Sequence, residues 1–277
     1  MVHKNFSLTN PSSEIIRTEI HYREGIKEAP VIIICHGFKG FKDWAFFPIL
    51  ADSLAQAGYV TLTFNFSRNG IGADPDNFTE LDRFERNTYT HELEDLQCIV
   101  DAISKNNIGR GLLDPERIGL VGHSRGGGIS ILHACQDDRI KALVTWSAIS
   151  TVDRFSDQDK KKWEQDGFIE IENKRTMQIM RLGRDMLNDI RKNKSRLDIL
   201  AAAQNLKIPA LIIHGDNDES VPVSEAHTIF NEITCEKELI LIEGGTHTYG
   251  AQHPMTTITP ALENVFDLTE NWFDRFL

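Results

Sequence analysis

The sequence predicts an α/β protein with a mostly parallel central sheet and helices on both faces. Three observations carry the prediction. Short, almost uniformly apolar runs, such as Val31-Ile-Ile-Ile-Cys35 and Ala210-Leu-Ile-Ile-His-Gly215, have the composition of strands covered on both sides. Segments with apolar residues at helical spacing separate these runs, and strands that alternate with helices pair in parallel. Gly122-His123-Ser124-Arg125-Gly126 closes one run and opens a helix. Small residues two before and two after the serine allow such a sharp strand-to-helix turn.

Taken in order, Glu14 to Tyr22 has enough β-branched and apolar residues for an early strand, and Val31 to Cys35 is a buried one. The glycine-rich turn His36-Gly37-Phe38-Lys39-Gly40 follows. Phe46 to Gly58 reads as a helix, with Leu50, Leu54 and Ala57 on one face and Gly58 as its stop. Tyr59 to Phe64 is the next strand. Asn65 to Thr88 is polar and irregular, and within it Arg68-Asn69-Gly70 reads as a solvated turn rather than as pocket lining. His91 to Lys105 carries Leu93, Leu96, Val100 and Ile103 along one helical face. The serine turn comes next, then a helix over Gly127 to Gln136 and a strand over Ile140 to Trp146.

From about Ser150 to Leu206 the alternation stops in a charged, helix-prone stretch without strand runs, which predicts an inserted helical cap. Met177, Met180, Leu187 and Ile190 fall at helical spacing there, a stripe suited to packing the cap on the body, with direct substrate contact as the alternative reading. The α/β rhythm resumes with Ala210 to Gly215, a helix over Pro222 to Thr234, a strand over Glu238 to Ile242 and a closing helix over Pro260 to Phe276. The chain thus divides into a first core part (1–149), the cap (150–206) and a second core part (207–277).

Composition narrows the function classes. With 30 basic against 41 acidic residues the net charge is −11, which disfavours nucleic acid and anionic lipid as partners. The cluster Lys160-Lys-Lys162 is interleaved with acids and reads as a solvated helical face. No apolar run approaches the roughly 20 residues that span a bilayer. The N-terminus lacks the apolar stretch of a signal peptide, so a cytoplasmic location is expected. Cys35, Cys98, Cys135 and Cys235 are far apart, as expected of free thiols. No histidine pair has a recognisable metal-ligand spacing, so no metal is expected.

Ser124 is the candidate nucleophile. A serine hydroxyl needs a base to take its proton and a carboxylate to orient that base. Asp218, in Gly215-Asp-Asn-Asp218, follows one predicted strand, and His247, in Glu243-Gly-Gly-Thr-His247, follows the next. Asp216 and Asp153 compete for the acid role, and His253 is the rival base. His36, His123 and His214 read as structural hydrogen-bonding groups around the site.

These motifs, in the order serine, acid, histidine, resemble the α/β-hydrolase fold. The resemblance is nearest to serine esterases of the dienelactone-hydrolase-like and cinnamoyl (feruloyl) esterase-like groups, and covers the chain from about residue 15. It implies the catalytic residues Ser124, Asp218 and His247, and an oxyanion hole formed by the backbone N–H groups of Phe38 and Arg125, where side chains can vary. It also implies cofactor-free hydrolysis of small carboxylic esters through an acyl-enzyme, with an aryl or hydroxycinnamoyl ester as one option. Dienelactone hydrolases proper carry cysteine at the elbow, whereas serine favours acyl transfer to water. The expected partner is a small ester, with a homodimer allowed for. The same residues would suit an S9-like peptidase or a thioesterase, and a binding protein on this fold is the non-catalytic alternative.

Overall fold

The computed structural model describes residues 1–277. In chain order it contains β1 (Val2–Thr9), β2 (Ile15–Tyr22), β3 (Ala29–Cys35), α1 (Phe47–Ala57), β4 (Val60–Asn65), α2 (Leu81–Glu85), α3 (Tyr89–Ser104), β5 (Leu113–His123), α4 (Arg125–Ala134) and β6 (Ile140–Trp146). There follow α5 (Asp157–Asp166), β7 (Phe168–Asn173), β8 (Gln178–Gly183), α6 (Arg184–Lys192), α7 (Ile199–Gln204), β9 (Ala210–Gly215), α8 (Val223–Glu232), β10 (Lys237–Ile242) and α9 (Pro260–Phe276).

Eight strands form one sheet in the order β1-β2-β4-β3-β5-β6-β9-β10. The pairs from β4 to β10 are parallel, while β2 joins β4, and β1 joins β2, antiparallel. Period-two side-chain alternation divides β3 between two cores. Val31, Ile33 and Cys35 face the layer that contains α3, α4 and α8, whereas Ile32 and Ile34 face α1 and α9. Both faces are therefore covered, and only the strand ends remain for chemistry.

Local signals fix the helix ends. Gly58 stops α1 at φ 117°, and Pro48 occupies its first turn. The Thr88 hydroxyl caps α3 by accepting from the His91 N–H at 3.1 Å, and Thr259 caps α9 in the same way.

Three features differ from the sequence expectation. The strand β1 is additional: only Phe6 and Leu8 alternate clearly, which suffices because an edge strand needs few apolar residues. His3 and His21 are cross-strand partners there, and both reach Asp52 Oδ1, at 2.9 and 2.8 Å, fastening this edge to α1. The insertion is not wholly helical, because β7 and β8 form an antiparallel hairpin within 150–206. Gly167 ends α5 in the left-handed region, and Ile169 and Ile171 then alternate with Glu170 and Glu172. The methionine stripe consequently spans two elements. Met180, Leu187 and Ile190 are buried in the body's core, whereas Met177 sits at the hairpin turn and is 76% exposed. Arg68-Asn69-Gly70 is not a solvated turn either. Asn69 is buried and donates to the Gly40 carbonyl at 3.3 Å, and Arg68 pairs with Glu14 at 3.2 Å.

Candidate active site

The four loops that follow β3, β5, β9 and β10 meet beyond the carboxyl ends of the strands, where parallel α/β sheets carry their ligand sites. Ser124 joins β5 to α4 with φ 57° and ψ −120°, in a region that costs a side-chain-bearing residue about 1–3 kcal/mol. Its neighbours enforce the turn. A Cβ on Gly122 would come within 2.4 Å of the Gly126 carbonyl oxygen, and one on Gly126 within 2.3 Å of the Cys35 oxygen. Only glycine at these positions lets α4 start against the end of β3, which brings Phe38 beside the serine.

Ser124 Oγ–H donates to His247 Nε2 at 3.0 Å, and His247 Nδ1–H donates to Asp218 Oδ2 at 2.8 Å. Asp218 Oδ1 accepts from the Ser220 and Val221 amides at 2.8 and 2.9 Å. Burial opposes ionisation of this carboxyl, but hydrogen bonds from His214, His247 and Val221 outweigh it and hold the group far below the usual carboxylate range. The result is an ordered chain from hydroxyl to imidazole to a fixed anion. Such a chain can move a proton off the serine and stabilise the imidazolium that forms.

The rival groups are occupied elsewhere. Asp216 accepts from the Gly244 amide at 2.7 Å, and Asp153 pairs with Lys160 at 2.7 Å on the surface. His253 accepts from the Ala45 amide at 2.9 Å and contacts Asp76. His36 Nδ1–H donates to Gly37 O, His123 Nε2–H to His247 O and His214 Nε2–H to Val221 O, all at 2.8–2.9 Å, so these three brace the loops.

Neither the Phe38 nor the Arg125 amide donates to a group of the protein, and both belong to the loops flanking Ser124. The Arg125 side chain has a further contact that the sequence did not reveal. Its guanidinium is buried, lies 4.0 Å from the Phe38 ring and 4.6 Å from the Tyr89 ring, and pairs with Glu92 at 3.3 Å. It thereby ties together the two loops that carry these amides.

Burial lowers His36 to about 4 and His123 to about 3. Both folded values lie below the unfolded value of about 6.5, so the unfolded chain takes up protons first as the pH falls. The stability associated with these two neutral rings is complete above about pH 6.5 and is lost as the pH drops toward 4, by on the order of 3 kcal/mol per ring. Buried Asp95, raised to about 6, acts in the opposite sense between about pH 4 and 6 but has the smaller shift. Urea midpoints measured in steps from pH 7.5 to 4 should therefore fall, and a flat or rising profile would contradict this assignment.

The cleft above Ser124 encloses about 200 Å³ and is walled by Phe38, Trp44 and Phe47, with Asn173 and Arg175 reaching in from the hairpin. Ligand sites for drug-sized molecules usually enclose about 300–1,000 Å³, so this one suits a small group. A larger depression of about 480 Å³ between β1 and α3 holds none of the Ser124 constellation.

The parallel sheet and the serine elbow define the protein as an α/β-hydrolase. It belongs to the acetyl xylan esterase (AXE1) family, whose model matches residues 81–263. It is 29% identical over 174 residues to an uncharacterized 31.7 kDa protein of Escherichia coli from the traX-finO intergenic region. That match covers 63% of this chain and 56% of the relative, so the chain spans little more than half the relative's length. The uncharacterized peptidase YuxL of Bacillus subtilis (strain 168) is 28% identical over 186 residues, which is 66% of this chain and 25% of YuxL. Est1E from Butyrivibrio proteoclasticus, solved with ferulic acid bound, superposes with a TM-score of 0.73 over 98% of each chain at 21% identity, a likeness of fold. No helix is long and apolar enough to cross a membrane.

Proposed function

We propose that the protein is a cofactor-free serine carboxylesterase acting on small carboxylic esters. The observation that carries the reading is the unbroken hydrogen-bonded chain from Ser124 through His247 to Asp218 at the mouth of a small cleft. In the proposed cycle Ser124 Oγ bonds to the ester carbonyl carbon while its proton passes to His247 Nε2. Asp218 holds the imidazole in the tautomer that accepts this proton and offsets the positive charge. The carbonyl oxygen becomes an oxyanion facing the Phe38 and Arg125 amides, where one well-placed donor is worth about 3 kcal/mol. Collapse expels the alcohol, which takes the proton from His247. Water then adds to the acyl-enzyme, giving its proton to His247, and the acid leaves as Ser124 regains its hydrogen.

Membership of an esterase family supports ester chemistry, and the aromatic walls formed by Phe38, Trp44 and Phe47 favour a flat or short acyl group. A peptidase reading has the match to YuxL in its favour. The cleft argues against aminopeptidase action, because Lys39 and Arg175 line it without any carboxylate to receive a substrate ammonium. The test is a substrate panel of short alkyl, aryl and hydroxycinnamoyl esters, a thioester and an aminoacyl arylamide, with fluorophosphonate labelling in parallel. Ester turnover and label on Ser124 are expected. Preference for the arylamide would overturn the ester assignment, and an unlabelled Ser124 with no turnover would favour a binding protein on a hydrolase fold.

A further inference from the structure

Lys39 and Arg175 are the two formally charged side chains other than histidine that line the cleft, in a protein with eleven more acids than bases. They come from distant segments, Lys39 from the turn after β3 and Arg175 from the turn between β7 and β8, and the Lys39 ammonium lies against the hairpin that carries Arg175. Neither forms a salt bridge. Lys39 Nζ donates to the Glu172 carbonyl oxygen at 3.1 Å, and Arg175 Nη2 donates to the Asp76 carbonyl oxygen at 2.7 Å. Arg175 also packs 5.2 Å from the Phe41 ring and 5.9 Å from the Phe78 ring, which holds its guanidinium in place. Each cation thus spends one donor on a backbone carbonyl and keeps others for a ligand.

We infer that Lys39 and Arg175 form an anion subsite, so that the preferred ester carries a carboxylate or similar negative group beside the reacting carbonyl. The inference rests on the esterase reading above and narrows its substrate class. Partial desolvation and the nearby Lys174 depress the Lys39 ammonium against the Glu172 carboxylate, and partial desolvation depresses the largely exposed Arg175 against Asp76; a bound anion would relieve both cations. Buried Asn173 braces the turn that carries Arg175, its Oδ1 accepting from the Arg175 amide at 3.2 Å. The insertion therefore supplies a selective group as well as a cover.

The experiment compares charged and neutral partners of the same shape. On the acyl side these are p-nitrophenyl hemiglutarate and its methyl ester; on the leaving-group side, p-acetoxybenzoate and its methyl ester. At low salt the charged member of at least one pair should show the higher kcat/KM by about tenfold or more. Arg175→Gln and Lys39→Gln should each reduce that ratio severalfold. Arg181→Gln, which removes the same charge from the outer side of the hairpin where Arg181 meets Glu170, should leave the ratio intact. Equal kcat/KM within both pairs, together with Ser124-dependent turnover, would overturn the subsite and leave the esterase reading standing. If no ester is turned over, the esterase reading fails, and calorimetric titration of Ser124→Ala with p-acetoxybenzoate decides the subsite alone. Binding no tighter than that of the methyl ester would overturn it.

Discussion

Replacing Ser124 with alanine should lower kcat for ester hydrolysis by about 10⁶-fold. The substitution deletes the atom that bonds to the acyl carbon in the proposed cycle and leaves His247 with no hydroxyl to deprotonate. Residual activity would come from the Phe38 and Arg125 amides and from binding, which act without the nucleophile. The fold should persist, because the elbow is held by the Ser124 amide bond to Trp146 O at 2.8 Å and by the flanking glycines, none of which needs the hydroxyl. Steady-state kinetics on purified protein, with circular dichroism to establish folding, provide the measurement. Folded Ser124→Ala protein with turnover within tenfold of the parent would remove Ser124 from the mechanism.

The second large effect is expected at Glu92. Its Oε1 accepts from Asn87 at 2.7 Å and faces the Arg125 guanidinium at 3.3 Å, while its Oε2 has no partner. Both side chains are within a few per cent of complete burial, at 5% and 7% exposure. Burial raises the Glu92 carboxyl pKa and the facing guanidinium opposes the rise, so the pair is a balance of desolvation against attraction. Glu92→Ala strands a buried cation and should cost about 3–5 kcal/mol, a fall in Tm of roughly 10 °C. Because the same guanidinium lies against Phe38, kcat should fall as well. Replacing both partners with apolar residues, Glu92→Leu with Arg125→Met, should recover most of the stability, since buried pairs seldom exceed a well-packed apolar substitute. Calorimetric melting of both variants separates these outcomes. An unchanged Tm for Glu92→Ala would mean that water reaches Arg125 and that the clamp does not operate.

The uneven legibility of the molecule has physical causes. Runs such as Ile32 to Ile34 and Leu211 to Ile213 could be read as strands because burial on both faces tolerates no polar residue in the run. The edge strand β1 and the β7–β8 hairpin escaped because they need only a few alternating apolar residues, which charged neighbours mask in sequence. The Met177-to-Ile190 spacing that resembled a helical stripe runs from the hairpin turn through β8 into α6, so periodicity there had no single element to report on.

What the sequence by itself determined is the order of elements along the core and the local backbone at Ser124. A turn with φ 57° between Gly122 and Gly126 is signalled by adjacent residues, although the contacts that hold it, to Trp146 O and against Cys35 O, come from neighbouring strands. It also placed Asp218 and His247 after strands, since strand ends can be read from local composition. Only the tertiary structure decided which carboxylate reaches the histidine, since Asp216 and Asp218 differ by two positions and are separated by which one the Val221 amide and His247 meet. The same holds for Arg125 pressed between Phe38 and Tyr89, and for Lys39 and Arg175 facing one cleft from segments 136 residues apart. Long-range contacts of this kind arise from the packing of whole elements, which short-range pattern in a single chain does not encode.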